Sequence, residues 1–426
     1  MIQSRLTRVF GAINIGSFRI AAMVGGLTEG GDVVILGSHH RAANGIKRGY
    51  VTDMQAATAA VRDAIEKAEK MAEVAVQSVF IAASGAGLAS RVAAVEIEIG
   101  GRRIEDEDIE ALLIEARDAI EPDGRMVLHA EAAHYTLDGA HGVANPKGLH
   151  AERLGVDVHV MLADGAPVRN ITEAVQNAHL EVESVVASPV AAGYAVLSPE
   201  ERELGVALVE YGAQVTNVAL FAAGMLVGLK SLATGSSDMT DAIAGTFGIR
   251  RFQAERLKCR FGSAVASPAD HRTMIPVNGP GDAPAGPQAR GADDRNRVPQ
   301  AELVAIISAE LDRLTTGIAD ALAELGFTGS GRHQIVLTGG GAELAGIADY
   351  LQGALGKPVR IGKPPTLAGL PEAHQTPAFA TLAGLMVYAA RDPVDIRKAT
   401  PRRQNVRQYR PGDLAARVWR AAREYF

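Results

Sequence analysis

Residues 335–342 read IVLTGGGA: four strand formers deliver three consecutive glycines into the amphipathic run Glu343 to Leu355. The spacing predicts a buried strand, a tight turn and a helix. Glycines let a ligand approach the backbone closely, and amides at a helix start suit an anion or a ring edge. Strand-to-helix glycine turns occur across α/β proteins, so the weight of this one depends on its surroundings.

Two other segments share a second grammar. Residues 12–24, AINIGSFRIAAMV, predict a β-hairpin bending at Gly16-Ser17, and Val206 to Phe221, VALVEYGAQVTNVALF, predict another bending at Gly212. Similar hairpins far apart in one chain point to a duplicated domain. After the first hairpin come a strand (Val33 to Ser38), a helix (Met54 to Met71) with Ala57, Ala60, Val61, Ala64, Ile65 and Ala68 on one face, and a short buried strand (Val79 to Ser84). Residues 86–163 change character, with strands Arg91 to Ile99, Arg125 to Thr136 and Leu154 to Leu162 around an acidic helix, Glu105 to Ile120, and a Gly/Pro turn region. They read as a small α+β insert. A helix (Val168 to Ala178), a strand (Val182 to Ala187) and a second helix opened by Ser188-Pro189 resume the main pattern. Met239 to Phe247, Arg251 to Phe261 and Gln300 to Leu325 read as helices. Residues 263–300 hold six prolines and little apolar periodicity, which predicts a mobile surface loop.

The chain has 426 residues, enough for two or more domains. Its charge is unevenly divided. From Arg391 onward ten Arg or Lys face four acids, a net of +6, so a total of −6 leaves −12 on the body. An acidic body argues against nucleic acid, and a basic tail suits an anionic bilayer. The final fifteen residues, GDLAARVWRAAREYF, place Leu414, Val418, Trp419, Ala421, Ala422, Tyr425 and Phe426 on one helical arc of roughly 160°, which Arg417, Arg420 and Arg423 flank or oppose. That pattern predicts a helix lying on a membrane, with rings at the acyl boundary and arginines reaching phosphates. Residues 391–411, with three prolines and seven basic residues, read as its flexible tether. The first apolar stretch, Phe10 to Leu27, is broken by Asn14, Ser17 and Arg19, which neither a signal peptide nor a membrane span tolerates, so a cytosolic body is expected. Cys259 is the sole cysteine and reads as a helix-packing residue; His129 and His134 lack a third ligand nearby, so no metal site is expected there.

Two glycine hairpins with a strand–Ser-Pro–helix between them, followed by a strand–Gly-Gly-Gly–helix, resemble the actin-type ATPase fold, in which two β-sheet domains close on ATP. Within that superfamily the chain resembles the FtsA family of bacterial cell-division proteins over nearly its whole length. The resemblance rests on Asn44-Gly45-Ile46-Lys47-Arg48-Gly49, Ile81-Ala82-Ala83-Ser84-Gly85, Val127-Leu128-His129, Asn145-Pro146-Lys147-Gly148-Leu149, Glu201-Arg202-Glu203-Leu204-Gly205-Val206, Val336-Leu337-Thr338-Gly339-Gly340 and the tail.

It implies an α/β, actin-like fold of two duplicated mixed-sheet domains around a nucleotide cleft. The first domain would take residues 1–85, 164–203 and 369–390, with the FtsA-type subdomain 86–163 inserted. The second would take 204–244 and 326–368, with an FtsZ-binding type of subdomain at 245–325, a linker at 391–411 and the helix at 412–426. It further implies ATP held by Asn14, Gly16, Ser17, Phe18 and Arg19 of the first hairpin and Gly212, Ala213 and Gln214 of the second. Gly235, Glu255, Lys258, Gly339, Gly340, Gly341 and Ala342 would complete the site. Partners would be the FtsZ C-terminal peptide, further copies of the chain, anionic lipids and other division proteins, at the cytoplasmic face of the inner membrane.

The chain also departs from the pattern. Asn14 stands where actin relatives place an acid that acts through Mg²⁺, and Arg19 where a lysine is frequent. Ala213, Gln214 and Val215 replace two glycines and a threonine, and Ser188 replaces a glutamate that can orient water. Phosphoryl transfer needs a positioned Mg²⁺ and an aligned water, so a nucleotide-binding scaffold with little or no hydrolysis is expected. The other reading is a soluble small-molecule kinase of the same fold, which would need an intact phosphate hairpin and an acid near the cleft.

Overall fold

The computed structural model describes residues 6–85, 87–277, 297–327, 333–393 and 395–398. The expected helix 412–426, the tether beyond Lys398 and the middle of the 263–300 segment lie outside the described residues.

Strands β1 (Leu6–Ile15) and β2 (Arg19–Thr28) form the first hairpin, with Ile15 opposite Ile20, and β3 (Val33–Ala42) extends it antiparallel. A two-rung ribbon, β4 (Ile46–Lys47) and β5 (Tyr50–Val51), leads to α1 (Met54–Ala72). The Asp53 carboxylate caps α1 by accepting from the Ala56 amide at 3.0 Å. The six residues of its predicted apolar face are its buried ones. Their small side chains bring the helix so close to β3 that a Cβ on Gly37 would lie 2.2 Å from the Ala68 carbonyl oxygen. β6 (Ser78–Ala83) then pairs parallel with β1.

The insert runs through β7 (Ala89–Glu98), α2 (Asp106–Asp118), β8 (Met126–Leu137), β9 (Ala140–Val143) and β10 (Arg153–Ala163), in the sheet order β7-β10-β8-β9. β9 falls within the predicted turn region; Gly139 and Gly142 take positive φ and fold it back onto β8. The first domain resumes with α3 (Gly165–Gln176), β11 (Glu181–Ala187), α4 (Ser188–Val196) and α5 (Pro199–Leu204).

In the second domain, β12 (Val206–Tyr211), β13 (Thr216–Ala222) and β14 (Met225–Leu232) form an antiparallel meander. Then come α6 (Ser236–Phe247), α7 (Arg251–Phe261), β15 (Met274–Pro276), β16 (Arg297–Pro299), α8 (Gln300–Glu324), β17 (Ile335–Thr338), α9 (Ile347–Leu355), β18 (Val359–Ile361) and α10 (Ala380–Arg391). The two large sheets have orders β3-β2-β1-β6-β11 and β14-β13-β12-β17-β18. Each is an antiparallel meander whose first strand also pairs parallel with a later strand, so the duplication predicted from two hairpins extends to both whole sheets.

Three segments differ from the sequence reading. The 263–300 segment is pinned at its ends: β15 pairs with β16, and Ala264, Ile275 and Val277 enter the second core. α9 begins at Ile347 instead of Glu343, because residues 340–343 form a 3₁₀ turn followed by an extended Leu344. The basic segment read as a flexible tether is docked at its root. Ile396 is fully buried in the core of the insert. Asp395 accepts from the Ala130 amide at 3.3 Å, and Arg397 donates to the Val127 carbonyl at 2.7 Å.

One core spans both domains, from Phe10 and Met23 through α4 and α10 to Leu208 and Phe221. α4 meets α10 at Gly384 and β13 at Gly193. A Cβ on Gly384 would stand 1.8 Å from the Ala191 carbonyl oxygen, and one on Gly193 2.6 Å from the Phe221 ring. Gly384→Ala is expected to destabilise the protein by about 1–3 kcal/mol through forced separation of the helices. Gly245→Ala, at an exposed site of α6 with no atom within 4 Å, should instead stabilise by about 0.5–1 kcal/mol. Urea unfolding of both variants checks the contrast, and equal midpoints would refute the packing account.

Candidate functional site

The β1–β2 and β12–β13 turns face each other across a cavity of about 480 Å³, within the usual range for a small-molecule site. Its walls are residues 14–19, 210–215, the start of α6, α7, and the turn after β17. All the predicted cofactor residues line it except Gly235 and Ala342. Gly235 lies behind the second turn, where a Cβ would meet the Ala213 carbonyl oxygen at 2.3 Å, and Ala342 is buried in the second core. The predicted membrane residues, Leu414, Arg417, Val418, Trp419, Arg420, Ala422, Arg423, Tyr425 and Phe426, fall outside the described residues.

The glycine triplet has an internal cause as well as a ligand-facing one. Tyr211 is 1% exposed and fills the space beneath it. A Cβ on Gly341 would lie 2.2 Å from the Tyr211 ring, and one on Gly339, at φ +88°, 2.5 Å from the Tyr211 carbonyl oxygen. At Gly340 the nearest atom is 3.8 Å away, so only there does the turn leave space beside the backbone.

Many polar groups around the cavity are already engaged. The Gly16 amide donates to the Arg19 carbonyl and the Gly212 amide to the Val215 carbonyl, each at 3.0 Å. The first amides of α6 donate to the Gly212 and Ala213 carbonyls. Lys258 Nζ meets the Ser236 carbonyl (2.9 Å), Thr240 Oγ1 (2.8 Å) and Glu255 Oε2 (2.9 Å). Burial works against the Glu255 charge, but Lys258 outweighs it together with hydrogen bonds, and the carboxyl is held below its ordinary value. Cys259, expected in helix packing, is instead exposed at the cavity wall; burial first, then Glu255, pushes its thiol up, so the neutral form prevails.

Glu210 marks the back of the cleft. Thr381 Oγ1 donates to its Oε1 at 2.5 Å, while Ser188 Oγ (2.6 Å) and Asn217 Nδ2 (2.8 Å) donate to its Oε2. Both carboxylate oxygens of this nearly buried side chain thus serve internal bonds that join α4, β13 and α10 to β12. With Asn14 neutral and Glu210 saturated, the donor set at the phosphate end does not suit Mg²⁺. An anion fits better. Arg19 projects at the cavity with its guanidinium 4.8 Å from the Phe379 ring and 5.9 Å from that of Phe18, within salt-bridge distance of no carboxylate among the described residues. Burial lowers its pKa below the ordinary arginine value, and Glu343 acts in the opposite sense; a guanidinium remains cationic at neutral pH. Ser84, Arg260, Glu343, Ala378 and Thr381 also line the cavity. Sequence reading missed them because no local motif surrounds them.

The profile described as "Cell division protein FtsA" matches residues 207–384, and that described as "SHS2 domain inserted in FTSA" matches residues 85–162. The cell division protein FtsA of Rhizobium meliloti is 33% identical over 400 residues, covering 91% of this chain and 88% of that one. That of Escherichia coli is 30% identical over 390 residues, covering 91% and 92%. The chain belongs to the FtsA family of cell-division proteins.

Solved structures place the fold of this FtsA-family chain among actin-like proteins. The PilM-PilN type IV pilus biogenesis complex matches with a TM-score of 0.61 at 18% identity, over 89% of this chain and 98% of that one. MreB5 of Spiroplasma citri, solved bound to ADP, matches at 0.51 and 13% identity, over 90% and 96%. No helix among the described residues is long and apolar enough to cross a membrane.

The ring beneath Arg19 is itself supported by a titratable group. His374 stacks on Phe379 with centroids 4.1 Å apart, and its two nitrogens meet Ser38 Oγ at 2.9 Å and His40 Nδ1 at 3.2 Å. Burial, then His40 and Arg19, pushes His374 down to about 4 from 6.5. Between those values the unfolded chain binds a proton that the folded chain does not. Its contribution to stability is complete above about pH 6.5 and is lost as the pH falls toward 4. Urea midpoints should therefore drop more between pH 7 and 4.5 in the wild type than in His374→Asn, and equal drops would show that His374 titrates normally.

Proposed function

We propose that this FtsA-family protein is a nucleotide-binding assembly scaffold that ties FtsZ polymers to the cytoplasmic face of the inner membrane at the division site and helps recruit later division proteins. The observation that carries the reading is the match to FtsA relatives over about nine tenths of both chains. Nucleotide would lie between the two hairpin turns, with the adenosine end near Gly340, Glu255 and Lys258 and the phosphates toward Arg19. When bound, it supplies a bridge that holds the two domains together. Asn14, Ser188 and the saturated Glu210 replace or occupy the side chains expected to position Mg²⁺ and activate water, so the scaffold binds with little or no hydrolysis.

Residues 412–426 would provide the membrane contact. One amphipathic helix binds weakly, and assembly of many copies multiplies that binding, which makes attachment depend on polymerisation. The FtsZ C-terminal peptide would dock on the subdomain at 245–325.

Flotation of the full-length protein with vesicles containing anionic lipid tests the anchor. Wild type should float, and Trp419→Glu or truncation after Arg410 should leave the protein in the pellet fraction; unchanged flotation would remove the anchor. For the cleft, Arg19→Ala should weaken ADP or ATP binding about tenfold or more by calorimetry, in line with loss of a charged contact. Turnover at kinase-like rates would contradict the scaffold.

A further inference from the structure

Arg19 rests on a ring that other elements hold still. Its guanidinium lies 4.8 Å from the centroid of Phe379, a residue 3% exposed at the end of the 3₁₀ turn Pro377–Phe379 that leads into α10. His374 stacks on the same ring at 4.1 Å, and His40 meets it edge-on at 5.3 Å. Hydrogen bonds linking His374 with Ser38 and His40 tie that stack to β3. Phe18, the other ring near the guanidinium, is 50% exposed and adjacent to Arg19 in the chain, so it travels with the arginine instead of locating it.

The turn that carries Phe379 is also joined to the second domain. The Pro377 carbonyl accepts from the Gly339 amide at 3.1 Å and from Thr338 Oγ1 at 3.4 Å, donors that belong to the end of β17 and the glycine turn. Ala378 and Thr381, on either side of Phe379 in the chain, line the cavity together with Arg19 and Gly340. The buried ring therefore sets where the cation of the first hairpin stands relative to the glycine turn. Among the described residues the guanidinium has no hydrogen bond and no ion pair to fix it otherwise.

Resting on the proposed nucleotide site, we infer that Phe379 is a positioning residue for the anionic end of the nucleotide, acting through Arg19, whose guanidinium it holds at the cavity wall before ligand arrives. A cation held by a ring keeps its N–H donors for an anion, unlike one paired with a carboxylate. Without the ring, a long side chain has to be ordered when ligand binds, which weakens affinity by about threefold to tenfold. The attraction comes from the negative face of the ring. Fluorine withdraws charge from that face with little change of shape, so the attraction can be removed while the packing stays.

The test is calorimetric titration of the full-length protein with ADP in the wild type, Phe379→Leu, Phe379→Met and a series carrying mono-, di- and trifluorinated phenylalanine at position 379, each also combined with Arg19→Ala. The leucine and methionine variants should bind ADP about threefold to tenfold more weakly, and the fluorinated rings should lose affinity stepwise with fluorine number. In the Arg19→Ala background every change at position 379 should alter affinity by less than about twofold. The fluorinated rings nearly keep the shape of phenylalanine, so they carry the test if the leucine and methionine variants do not fold. Wild-type affinity across the fluorinated series, or wild-type affinity in Arg19→Ala, would overturn the inference and leave the nucleotide site standing. Equal losses with and without Arg19 would assign the ring a merely structural role, which also overturns it. A wild type that binds no ADP would overturn the site itself.

Discussion

The contact between α4 and α10 is the constraint on which the rest of the molecule depends. Gly384 lets α10 settle directly on the Ala191 carbonyl, and Gly193 lets α4 meet the Phe221 ring of the second sheet. The sheets of the two domains therefore share one core, and the hairpin turns at their edges are held face to face. The cleft is thus a by-product of helix packing. α4 is apolar on all sides because one side meets α10 and the other sides meet both sheets.

The same packing determines what chemistry the cleft can do. Thr381 of α10 and Ser188 of α4 both donate to Glu210, so the acid that a phosphate-binding hairpin presents to a metal is here a structural acceptor. Three donors on one buried carboxylate hold it in place. Arg19 has the opposite fate: it is drawn over Phe379, with no carboxylate partner among the described residues, and keeps its charge directed at the cavity. The cleft consequently presents a cation at this end, while Glu210 is engaged internally. The segment up to Lys398 is held by the insert, where Ile396 is a core residue.

Much of the framework was legible in the sequence. Both hairpins, the apolar face of α1 and the limits of α7 follow from periodicity and from the punctuation by glycine and proline. The resemblance of dispersed motifs identified the family before any geometry was known. Other features were not legible. β9 is four residues in a glycine-rich stretch, and it exists because β8 offers an edge. Ile396 looked like part of a solvated linker because the few apolar residues around it follow no helical or strand period. Cys259 had a helical context that did not reveal which face met the cavity.

By itself the sequence determined both hairpins, most of the helices, the duplicated plan, the family and the replacement of Asn14, Gln214 and Ser188, since these are properties of residue identity and short spacing. Only the tertiary structure decided which polar groups are free. Glu210 finds Thr381 across 171 residues, and Gln214 finds the Arg48 amide across 166. Hydrogen bonds between segments so far apart leave no local pattern. The glycine triplet shows both sides of this. Its strand and turn were readable from IVLTGGGA, whereas the reason for Gly339 and Gly341 is the buried Tyr211 ring and backbone from another strand.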